Sequence, residues 1–150
     1  MARWHTLVLF VLSSISLLGQ QRVINVGILR ERVLRSALIS PKHGSLIVLT
    51  DGQPAGELSS KDAVRISADG TGIIARSLSH TWTAKRSITL KRTAQAVLHL
   101  STLDAPKLER DYPGSIIAQR GGQDLVLTNE VPLEEYVAGV VQSEAGNHKG

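Results

Sequence analysis

A chain of 150 residues is long enough for one domain with a modest core and too short for two well-buried ones. It has no cysteine, which excludes disulfides, thiolate metal sites, a cysteine nucleophile and a lipid-modified cysteine anchor, and leaves any chemistry to oxygen and nitrogen groups. The net charge of +4 hides an asymmetry, because residues 1–127 carry 16 Lys and Arg against 9 Asp and Glu whereas residues 128–150 carry 1 against 4.

In chain order, Arg3 precedes the apolar run Leu7 to Leu18, after which come Gly19, Gln20 and Gln21. That is a secretory signal pattern. A spanning helix needs roughly 20 predominantly apolar residues, and this run is shorter and interrupted by Ser13, Ser14 and Ser16. Residues 1–21 are therefore expected to be a signal peptide, with an uncleaved anchor as the alternative, and residues 22–150 an exported cell-envelope domain. Membrane contact is expected only through that first segment. A basic exported body suits an anionic partner such as a cell-wall polymer, although plain solubility accounts for the same charge. Nucleic acid is not expected, since after the signal segment only Trp82, Tyr112 and Tyr136 can stack on bases and no basic run forms a groove-binding patch.

From Arg22 to Asn129 short apolar runs alternate with turn formers at intervals of about eight to twelve residues, the rhythm of antiparallel strands. Ile24, Val26 and Ile28 alternate with Asn25 and Gly27 and predict a half-buried strand. Further runs are Leu46 to Leu49, Val64 to Ile66, Ile73 and Ile74, Ile88 to Leu90, Val97 to Leu100, Ile116 and Ile117, and Leu125 to Leu127. Turns are expected at Pro41 to Gly44, Asp51 to Pro54, Asp69 to Gly72 and Arg120 to Gln123, the last joining a hairpin. The polar stretch Thr102 to Pro113, with Pro106 and Pro113, reads as an irregular connection.

At Asn129 the period changes. Val131 to Glu144 reads as an amphipathic helix with Pro132 at its first position, Glu134 and Glu135 at the positive end of the dipole, and Gly146 and Asn147 as terminators. Leu133, Tyr136, Val137, Val140 and Val141 gather into one apolar stripe, and Glu144 falls near its middle. A carboxyl among apolar neighbours holds its proton toward neutral pH, as a general acid must; the competing reading leaves Glu144 in a frayed last turn, swung into water. Glu134 and Glu135 point away from the stripe, and dipole and solubility terms explain them. Tyr136 either anchors the helix or presents its hydroxyl to a ligand, and Gly139 is read as allowing close backbone approach. His43, His80, His99 and His148 show no metal-ligand spacing.

Tyr112-Pro113-Gly114, then Leu125-Val126-Leu127-Thr128-Asn129, then Val131-Pro132-Leu133-Glu134-Glu135-Tyr136-Val137-Ala138-Gly139-Val140-Val141-Gln142-Ser143-Glu144 together resemble the stage II sporulation protein D and amidase enhancer (LytB) family. The match is specific over the last 40 residues or so, with Val23 to Leu29 resembling the family's opening strand. The resemblance implies action on bacterial peptidoglycan, either as a lytic transglycosylase with Glu144 as catalytic acid and base, or as a non-catalytic wall-binding module that enhances a partner amidase. Members associated with zinc have supporting cysteines that this sequence lacks, so no metal or cofactor is expected. In the family an alanine-rich helix follows the glutamate, whereas this sequence stops at Gly150. The expectation is thus an α+β fold, mainly antiparallel strands followed by a C-terminal amphipathic helix, forming the N-terminal part of an incomplete domain.

Overall fold

Period-two alternation persists through most of the chain and produces strands. The computed structural model describes residues 21–94, 96–104 and 106–147, with side chains in the last helix through Ser143. Apart from Gln21, the predicted signal segment 1–21 lies outside the described residues. The elements are β1 (Val23–Ile28), β2 (Ser36–Pro41), β3 (Ser45–Thr50), β4 (Gln53–Ser59), β5 (Val64–Asp69) and β6 (Gly72–Arg76). They continue as β7 (Thr81–Ala84), β8 (Ser87–Arg92), β9 (Val97–Thr102), β10 (Glu109–Pro113), β11 (Ser115–Gly121), β12 (Asp124–Pro132) and α1 (Leu133–Asn147). The fold is α+β, with antiparallel strands in two sheets and one C-terminal helix.

One sheet runs β1-β12-β11-β8-β3-β4 and the other β10-β9-β2-β5-β6-β7. Their inner faces meet in a single core, with Leu46, Val48, Ile88, Leu90, Ile116 and Leu127 from the first and Ile39, Val64, Ile66, Ile73, Leu98 and Leu100 from the second, all buried. Each such side chain contributes about 1.5–3 kcal/mol by leaving water, and the alternation fixes which face each strand turns inward. At one side of the sandwich, edge strands β4 and β7 are clipped together, Trp82 Nε1 donating to the Ala55 carbonyl at 3.1 Å. At the other side the edges are β1 and β10, and α1 begins there.

All the predicted apolar runs are strands, and the Arg120 to Gln123 turn joins the β11–β12 hairpin, Gly122 taking a φ of 71°. Asp51 and Gly52 both have positive φ, 50° and 85°, the backbone required of a two-residue turn between right-twisted strands. Three differences stand out. The stretch Thr102 to Pro113 contains β10, which pairs with β9 from Glu109 opposite Ser101 to Pro113 opposite Val97. As an edge strand it needs only one ladder, so polar side chains and a terminal proline are tolerated. Second, β2, β4 and β7 lie outside the predicted runs because each is short, interrupted by small or polar residues, or half exposed. Third, the helix starts at Leu133, because Val131 and Pro132 complete β12 opposite Ile24 and Val23. Those two residues give β1 the end of its ladder, and the Leu133 amide then donates to the Arg22 carbonyl at 2.8 Å.

Candidate functional site

The inward row of β8 ends at Arg92, which lies opposite Leu46 and faces the start of α1. There its guanidinium grips Glu135 in a two-pronged ion pair, Nη1 to Oε2 at 2.9 Å and Nη2 to Oε1. Glu135 is therefore no mere dipole or solubility residue, as its helical phase suggested; a partner distant in sequence turns it toward the sheet. The Arg92 amide also donates to Ser115 Oγ at 3.2 Å, so one residue ties β8, β11 and α1 together.

Between β1, β10 and α1 lies a cleft of about 470 Å³. Val26, Ile28 and Leu29 form one wall and Arg110 to Pro113 the other, while Glu135, Tyr136, Gly139, Val140 and Ser143 of the helix border it. The last four recur at i, i+3, i+4 and i+7, one face of the helix. Among the described residues Gly139 does not serve close backbone approach: outside the helix's own backbone, a Cβ built there meets no described atom within 4 Å, and the residue opens the helix side of the cleft.

Asn129, 5 % exposed, also lines this cleft. Its Nδ2 donates to the carbonyls of Pro113 at 2.7 Å and Ser115 at 3.0 Å. Two carbonyl acceptors dictate the amide orientation, so Oδ1 is left as an acceptor with no hydrogen-bond donor among the described residues. Gly114, between those carbonyls, has a φ of 87°, and a Cβ there would collide with the Glu130 carbonyl oxygen. Leu29, at the rim, holds a φ of 52°, a left-handed conformation that costs a branched side chain of order 1 kcal/mol or more.

On β10 the Tyr112 side chain packs against the core, and burial raises its hydroxyl pKa, Arg110 opposing the shift. Asp111 accepts from Lys42 and from His99 Nδ1, the latter at 2.7 Å, and these partners hold its carboxyl below the usual range, Lys42 foremost. Glu31 completes the acidic rim. Acceptors at Asn129, Glu31 and Asp111, hydroxyls at Tyr112, Tyr136 and Ser143, and the apolar Val26, Ile28 and Val140 make a lining complementary to a hydroxyl-rich ligand with apolar ring faces.

Glu144, the residue singled out as catalytic, lies in α1 one turn beyond Val140; its side chain is outside the described residues. The apolar stripe leading to it is present but open, with Tyr136 and Val140 39 % exposed, Val137 49 % and Val141 59 %. Among the described side chains of α1 only Leu133 and Glu135, in the first turn, are half buried. His80 stacks on Trp82 at 5.5 Å and bonds Ser79, far in sequence from the cleft, and His148 lies outside the described residues. Among the described residues no three His, Asp or Glu side chains gather in a metal-binding arrangement.

Sequence reasoning missed Asn129, Arg92, Glu135, Asp111 and Leu29 as parts of one site. Tyr112-Pro113-Gly114 and Asn129 lie in stretches quoted for the resemblance, which singled out only Glu144 as a site residue. No family model, curated protein or solved structure matches the chain.

Proposed function

We propose that this chain is an exported bacterial cell-envelope protein that acts on peptidoglycan, with glycan strands lying in the cleft between β1, β10 and α1. The observation that carries the reading is the cleft itself, whose helical wall leads, one turn past Val140, to the position of Glu144. In the lytic transglycosylase resemblance Glu144 is the acid and then the base. Its carboxyl protonates the glycosidic oxygen as the bond to the anomeric carbon breaks. The resulting carboxylate then removes the proton of the sugar's own 6-hydroxyl, whose oxygen closes onto that carbon. One carboxyl completes the cycle, so neither a metal nor the second carboxylate of ordinary glycosidases is needed.

The test incubates denuded glycan strands with the full chain and with Glu144→Gln, followed by mass spectrometry for 1,6-anhydro ends. Such ends from the wild type and at least a hundredfold fewer from the variant are expected; equal yields from both would sink the assignment.

The exposed Val137 and Val141 favour a second reading, a non-catalytic wall-binding module that presents α1 to a cell-wall amidase. Here Glu144→Gln leaves amidase stimulation intact, whereas Val137→Glu with Val141→Glu abolishes it.

A further inference from the structure

At the end of the sandwich where the β11–β12 hairpin turns, a second, wider depression of about 700 Å³ opens between the β5–β6 turn, the β7–β8 turn and β11. Its charged lining is Lys85, Arg86 and Arg120; Thr71 and Gln119 add neutral donors, and among the described residues no carboxylate lines it. None of the three cations has a carboxylate within 4 Å among the described residues.

The fold presents these cations by design of its backbone. Asp51 accepts the amides of Lys85 at 3.0 Å, Arg86 at 2.7 Å and Ser87 at 3.0 Å, which shapes the β7–β8 turn and turns the carboxylate toward backbone. Both side chains are left out of that anchor. Arg120 donates one guanidinium N–H to the Gly70 carbonyl, which positions it and leaves its other donors free. Lys85 also borders the adjoining depression, where Asp51 and Asp69 lie.

We propose that this depression is a docking surface for a linear polyanion of repeating phosphodiesters that carries no bases. Three cations outside any ion pair among the described residues, with supporting donors, match phosphate chemistry, and an open site of this breadth suits a chain rather than a single ion. Among the described residues no aromatic ring lines it, so a nucleic acid would gain nothing there from stacking. The proposal is independent of the cleft and of Glu144.

The test measures anisotropy of labelled long-chain inorganic polyphosphate with the full chain across a salt series. Lys85→Gln with Arg86→Gln should weaken binding tenfold or more and lower the log–log salt slope by close to two. The fold survives this change, because Asp51 uses only backbone amides. Arg65→Gln with Arg76→Gln, an exposed cross-strand pair on β5 and β6, removes the same charge elsewhere and should shift binding less than threefold. Equal loss in both variants would mean diffuse attraction by net charge and overturns the site. Single-stranded DNA bound as tightly as polyphosphate, or orthophosphate competing at equal molar phosphate, overturns the choice of ligand.

Discussion

At the scale of single residues, the chain spends polar side chains on shaping backbone as much as on binding. Asp51 is the clearest case: three backbone amides hold its carboxyl below the usual range, Ser87 contributing most. The unfolded carboxyl titrates near about 3.9, so on acidification the unfolded chain takes up its proton first. The stabilisation is therefore complete above roughly pH 5 and is lost as pH falls through the lower folded value. Asp51→Asn should be less stable than wild type in urea at pH 7, with the gap narrowing toward pH 3; a gap constant with pH would show that the charge is irrelevant. Asn129 makes the opposite test. Asn129→Ala strands two carbonyls and should cost about 2–3 kcal/mol. Asn129→Asp sets a carboxylate against those carbonyls at pH 7, and its deficit relative to wild type should shrink at pH 4, where the protonated acid can donate to one of them.

At the scale of elements, the described side chains of α1 hold it mainly through its first turn. Arg92 and Glu135 are 17 % and 37 % exposed in their side chains, so their pair should couple by about 1 kcal/mol, above the middle of the range for exposed pairs because it is two-pronged and partly sheltered. A double-mutant cycle with Arg92→Ala and Glu135→Ala, read by amide exchange in α1, measures it; coupling near zero would mean that the helix is held by Leu133 alone. The central strands were legible because apolar spacing reports burial directly, as in Val97 to Leu100 or Leu125 to Leu127, whereas α1 was legible from its helical period and its first-turn carboxylates although its stripe is open to solvent. The edge strand β10 was not, since Glu109, Arg110 and Asp111 face water and owe their place to pairing with β9. The site was half legible. Tyr136 and Val140 announce themselves by helical spacing, whereas Arg92 and Glu135, 43 residues apart, meet only through strand order, which no local pattern encodes.

At the scale of the whole molecule, the core closes without the helix. Every member of the main apolar cluster lies before α1, from Ile28 to Leu127, and the Trp82 clip secures the far edges. The helix instead exposes Val137 and Val141 by about half their surface. Local stability follows local burial, so α1 should open independently, well below the free energy of global unfolding. Native-state hydrogen exchange should therefore protect β2, β5 and β11 to the global limit while amides beyond Tyr136 exchange through a smaller opening. Deleting residues 133–150 should leave the cooperative urea transition of the sandwich in place, with a loss of about 1–2 kcal/mol from the first-turn contacts. Ile66→Ala, by contrast, should cost about 2–5 kcal/mol by emptying the core. If the deletion instead abolished cooperative unfolding, the helix would be part of the folding unit, and the cleft wall would be as rigid as the sheets. An independently opening helix means that whatever occupies the cleft or covers the stripe also stabilises α1, so binding and helix order must rise together.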